Sequence, residues 1–125
     1  MTHLGLCVGI RAALHHVLRT RGHDPSLLDP WYFPSASEYK ALLEQQGFEV
    51  QSASLHPRLT PLGTSDLRGW LDLFGRKTFL ASFGDVEADQ IMREVEEMCR
   101  VDMKDSEGNW TVVYVRLRFV ALKRT

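Results

Sequence analysis

Apolar residues recur along the first part of the chain at helical spacing. Leu6, Ile10, Ala13, Leu14, Val17 and Leu18 form a stripe flanked by Arg11, Arg19 and Arg21. The pattern predicts an amphipathic helix over about residues 6–21, ended by Gly22 and kept from resuming by Pro25. Asp29-Pro30-Trp31-Tyr32-Phe33-Pro34 reads as an ordered aromatic loop. Ser35-Ala36-Ser37-Glu38 is a capping box: the Ser35 hydroxyl can accept from the Glu38 amide while the Glu38 carboxylate reaches back. A helix is therefore predicted over about 35–46, with Tyr39, Leu42 and Leu43 as its buried face and Gly47 at its stop.

Partial alternation over 48–55 predicts a strand that Pro57 ends. Asp66 can cap a helix over about 66–83, in which Leu67, Trp70, Leu71 and Phe74 share a face before the apolar Phe79, Leu80 and Phe83. Asp85 is read as the cap of a longer helix over about 86–102, with Ile91, Val95, Met98 and Cys99 inward and Glu94, Glu96 and Glu97 mostly outward. After the 105–109 turn, a strand over about 110–122 shows the firmest pattern. Val113, Val115, Leu117, Phe119 and Ala121 point one way, and Tyr114, Arg116, Arg118 and Val120 the other. Such a strand suits the centre of a sheet, yet two strands alone are marginal in water. One edge of the 110–122 strand is expected to be open, or paired with something outside this chain.

Composition narrows the class. With 125 residues, 44% hydrophobic and 25% charged, the chain is expected to be one soluble globular domain or part of one. A formal net charge of -1 with mixed signs argues against general nucleic-acid binding. Cys7 and Cys99 lack the spacing of a zinc site or a redox pair and are expected to be small buried hydrophobes; no metal site is expected. Neither a secretory leader nor a membrane span is apparent, so the expected location is cytoplasmic.

Four segments, read together, resemble one family: Ile10-Arg11-Ala12-Ala13-Leu14, Pro30-Trp31-Tyr32-Phe33-Pro34-Ser35, Glu38-Tyr39-x-x-Leu42-Leu43-x-x-x-Gly47-Phe48 and Tyr114-Val115-Arg116-Leu117-Arg118-Phe119-Val120-Ala121. They look like the carboxy-terminal half of a class I S-adenosylmethionine-dependent methyltransferase, of the small-molecule type similar to trans-aconitate and ubiquinone-pathway enzymes. The resemblance implies an α/β fold, a partial doubly wound sheet. In it 48–55 is the sixth strand, and 110–122 is the antiparallel seventh, inserted beside a fifth strand expected to be missing. It implies a single partial domain over 1–125, with 64–104 a helical insertion similar to a substrate lid. The family's acidic, glycine-rich cofactor turn and ribose-binding carboxylate have no counterpart. Gly5-Leu6-Cys7-Val8-Gly9 follows no predicted strand and is no substitute. S-adenosylmethionine is thus implied for the family, without binding by this chain alone, and no cofactor-binding residue is assigned.

Methyl transfer needs in-line alignment of the acceptor and, where the acceptor is protonated, a base. His15, His16 and His56 read as packing or surface residues, so the catalytic residue stays unassigned. Trp31 and Tyr32, with Phe33, can line a substrate pocket or anchor their loop; Trp70 and Phe74 can face substrate from the lid or pack in a core. Arg58 is a candidate for holding an anionic substrate, whereas Arg116 and Arg118 can pair with lid carboxylates or mark the polar sheet face. The expected function is that of a truncated methyltransferase-like protein, related to enzymes that methylate a small-molecule acceptor, in secondary metabolite biosynthesis. The alternatives are a non-catalytic binding or regulatory module, docking a second copy or a complementing chain through the edge at 110–122, and an inactive truncated product.

Overall fold

The computed structural model describes residues 4–63 and 65–124. In chain order the elements are β1 (Leu4–Val8), α1 (Ile10–Thr20), α2 (Pro25–Leu28), α3 (Ala36–Gln45), β2 (Phe48–Pro61), α4 (Leu67–Phe74), α5 (Asp85–Met103) and β3 (Thr111–Lys123). The α/β class and the pairing of the two predicted strands hold. Several boundaries do not.

The helix expected over 6–21 starts only at Ile10, because Leu4–Val8 is a strand and Gly9 makes the turn between them. Gly9 has φ 91°, and a Cβ there would lie 2.9 Å from Met103 Cε, so glycine alone suits the turn. The helix expected over 66–83 stops at Phe74; residues 75–83 form turns held by Arg76, which donates to the carbonyls of Leu80 (2.8 Å) and Phe83 (3.0 Å). Asp85 is not the cap of α5. Gly84 takes that place, and Asp85 begins the helix while accepting from Arg76 at 2.7 Å. Asp66 does cap α4, accepting from the Gly69 amide at 2.9 Å.

Two compact units alternate along the chain. The helical unit comprises residues 8–31 and 60–112, and among the described residues it holds nearly all of the buried apolar side chains. Ile10, Leu14 and Leu18 of α1, Leu67 and Leu71 of α4, Ile91 and Val95 of α5, and the turn residues Phe79 and Leu80 are all at most 1% exposed. Burying side chains of this size contributes roughly 1.5–3 kcal/mol each before chain entropy is counted. Between helices α1 packs on α5 and α2, and α4 on α5. The Arg68 amide and guanidinium bind Glu96 and Asp89 at 2.6 Å, which ties α4 to α5.

The sheet unit contains residues 32–59 with the described parts of 1–7 and 113–125. Its strand order is β1-β3-β2, and this corrects the expectation of an open edge on the 110–122 strand. β3 has neighbours on both sides within the chain. The segment that fills the expected gap is Leu4–Val8, whose apolar spacing reads equally as the start of a helix. Docking of a second copy or complementing chain through β3 loses its basis where β1 lies. The outer strands are β1 and β2.

β2 and β3 run antiparallel, because Arg124 donates to the Gly47 carbonyl at one end and Leu62 to the Trp110 carbonyl at the other, both at 2.9 Å. Between those bonds β2 has 14 residues and β3 has 13, so β2 carries one extra residue, a bulge. The apolar positions of β2 place it: Phe48 and Val50 are even, Ala53, Leu55 and Leu59 odd, so the slip falls at Gln51–Ser52. With that slip all five share the sheet face of Val113, Val115, Leu117 and Phe119. The strand does not end at Pro57 as expected but runs to Pro61. In the register set by Leu62, both prolines lie on outward-bonding positions of an outer strand, where no ladder bond needs their missing N–H.

α3 covers the apolar face through Tyr39, whose ring lies 5.0 Å from that of Phe119. Ser35 caps it, accepting from the Glu38 amide at 3.1 Å, but the reciprocal bond from the Ser35 amide to the Glu38 carboxylate is not formed. No residue of α3 is fully buried; Tyr39 and Leu43 are half-buried and Leu42 is 41% exposed, short of the buried face expected for them. On that face Leu117 is buried, while Val113, Val115 and Phe119 are half-buried.

Candidate functional site

The chemistry of the helical unit gathers around Asp29. Its side chain is 4% exposed and accepts from Arg11 Nε, from His15 Nε2 (2.7 Å) and, through the other oxygen, from the Trp31 amide (2.9 Å). Arg11 and His15 are four residues apart on α1, so they reach the carboxylate from one helix face. The bond to Trp31 is an Asx turn, which Asp29-Pro30 favours because Pro30 fixes the backbone between them. Burial pushes the Asp29 carboxyl up, but the bonds from His15, Arg11 and the Trp31 amide outweigh it and hold the group below its ordinary value. Arg11 Nη2 also reaches the Trp31 carbonyl, at 3.5 Å. The aromatic loop is thereby fastened to α1.

Trp31, so held, joins a row of rings. Its centroid is 5.0 Å from Phe79 and 6.0 Å from Trp70, both nearly perpendicular, and Trp70 lies 5.0 Å from Phe74. The His15 ring centroid lies 5.7 Å from that of Phe79, edge to face. Along this row Trp70 and Phe79 are buried, Trp31 is half-buried and Phe74 is 47% exposed. The ring area of this row left exposed is therefore part of Trp31 and of Phe74, and exposed aromatic surface of that kind suits a planar or apolar group.

The structure brings together Trp31, Trp70 and Phe74 of the predicted substrate-binding residues. Tyr32, 57% exposed, and Arg58, exposed on β2, belong to the sheet unit. Sequence reasoning missed Asp29, Arg11 and Phe79; the Asp-Pro-Trp run and the Arg/His pair at a four-residue interval were the available signals. His15 is engaged by Asp29, and His56 by the Ser54 hydroxyl at 2.6 Å. Arg116 and Arg118 make no ion pair among the described residues, which leaves, of the two readings, the polar sheet face.

Among the described residues no three His, Cys, Asp or Glu side chains converge as metal ligands, and no helix is long and apolar enough to cross a membrane. Cys99 is buried, and burial, with Asp102 and Glu96 nearby, pushes its thiol up to about 11, which makes it a core residue rather than a nucleophile. The side chain of Cys7 lies outside the described residues. The β1–Gly9–α1 turn does bring a glycine to a strand–helix junction, contrary to the expectation that no strand is there. It still does not fit S-adenosylmethionine: it offers a single glycine at the junction, and Met103 packs against it.

No protein-family model matches the chain. The chain is similar to an uncharacterized methyltransferase of Schizosaccharomyces pombe, with 34% identity over 114 residues, taking in 89% of this chain and 43% of that protein. It is thus related to a methyltransferase, and it spans about two-fifths of that relative's length.

Proposed function

We propose that this chain is a methyltransferase-like protein equivalent to the carboxy-terminal half of a class I S-adenosylmethionine-dependent enzyme acting on a small molecule, and that its 125 residues do not include the half that holds the cofactor. The similarity to the S. pombe methyltransferase carries this reading. An antiparallel strand between two neighbours agrees with it, and so does the lack of a glycine-rich, acidic turn. In this reading β1 takes the place of the fifth strand. The region 64–104 serves as the lid, and the Trp31–Phe74 wall meets the acceptor, with Asp29, Arg11 and His15 positioning Trp31. A protein supplying the remaining half would add to β1, now the outer strand on that side.

Titration calorimetry of the purified chain with S-adenosylmethionine tests the division of labour. No saturable heat is expected from the folded chain; one-to-one binding at micromolar concentration would overturn it.

A further inference from the structure

We propose that the polar face of the sheet, formed by Arg58 on β2 and by Arg116 and Arg118 on β3, binds a small oxyanion, a carboxylate or phosphate group. The register past the Gln51–Ser52 bulge places Ser54 opposite Arg118, His56 opposite Arg116 and Arg58 opposite Tyr114. The 2.6 Å contact between Ser54 and His56 agrees with their sharing one face. Arg116 and Arg118 are two residues apart on the same strand, about 7 Å, and Arg58 is diagonal to Arg116 at roughly 7–8 Å. Three arginines thus stand within one patch of the sheet face, an area the size of one multiply charged ligand.

None of the three is neutralised. Arg11, Arg21, Arg68, Arg76, Arg93 and Arg100, all in the helical unit, have carboxylate partners, whereas Arg58, Arg116 and Arg118 have none among the described residues. The carboxylate of β2, Glu49, lies opposite Leu122, four residues from Arg118 along the strand, about 13 Å. Arg118 Nε is moreover buried with no hydrogen-bond partner. Like charges on neighbouring strands repel, and a buried unsatisfied donor is costly, so the face as it stands is destabilising by both measures. An oxyanion relieves the repulsion, and the planar fork of arginine matches carboxylate and phosphate in two-point contact. The whole chain carries net charge -1, which favours a small ligand over nucleic acid.

This inference does not depend on the methyltransferase reading, and its test involves no methyl transfer. Inorganic phosphate and citrate would be titrated into the full chain at constant ionic strength, with binding followed by calorimetry and amide chemical shifts on β2 and β3. Saturable binding is expected, weakened about tenfold by Arg118→Gln and several-fold by Arg118→Lys, which keeps the charge but loses the fork. Arg93→Gln, which alters an arginine in the helical unit, should leave it unchanged. In anion-free buffer Arg118→Gln should melt no lower than the unaltered chain, a result a structural role for the guanidinium would not give. Absence of saturable binding to both anions, or equal weakening by Arg93→Gln, would overturn the proposal.

Discussion

Asp29 shows how one carboxylate can organise a region that apolar patterning leaves as a loop. It ends three polar contacts, from a guanidinium, an imidazole and an amide, in a nearly water-free place. Asp29→Asn should lower stability by about 2 kcal/mol at neutral pH, the scale of charged hydrogen bonds, as read from urea unfolding. Because the folded-state value of Asp29 lies below the unfolded one, its contribution is full above the ordinary carboxylate value of 3.8 and is lost as pH falls through the lower folded value. The gap between the original chain and the variant should therefore close in strong acid. A constant gap from pH 7 to pH 2 would remove the charge from the explanation. The sequence held the clue in Asp29-Pro30-Trp31, but an Asx turn names no distant partner, so Arg11 and His15 could be joined to it only by the fold.

Elements were legible where their pattern was regular and illegible where one residue broke it. β3 alternates without interruption and lies within a residue of its expected span. β2 alternates only in part, because the bulge moves its apolar side chains from even to odd positions, and a slip of one residue looks the same as a strand end. Pro57 strengthened that impression; its tolerance depends on lying outward on an outer strand, which no local pattern reveals. Deleting Ser52 should convert β2 into a regular strand with the same apolar face, at a cost within about 1 kcal/mol in thermal unfolding. Loss of folding in that variant would place the extra residue elsewhere. β1 was missed for another reason: five apolar-rich residues running into a helix fit helical and strand periods alike.

Across the whole molecule, burial is uneven. The helical unit has a core drawn from α1, α4, α5 and the turns between them, whereas among the described side chains the sheet unit contributes only Pro34 and Leu117 to the buried apolar set. Three strands under one helix form the kind of partial sheet that a larger domain would cover, and the relative with which this chain shares its sequence is more than twice as long. Filling of the β3 edge by β1 moves the site of any such addition one strand outward and leaves the methyltransferase reading in place. The aromatic row was legible in part: Trp31, Trp70 and Phe74 stood out in the sequence, but their alignment with Phe79 and the anchoring of Trp31 on Asp29 required the fold. The most direct test is calorimetry with S-adenosylmethionine on the S. pombe methyltransferase in which this chain replaces the 114 residues it matches, beside the unaltered relative. The chimera is expected to bind with an affinity close to that of the relative; a folded chimera that does not bind, where the relative does, would contradict the assignment.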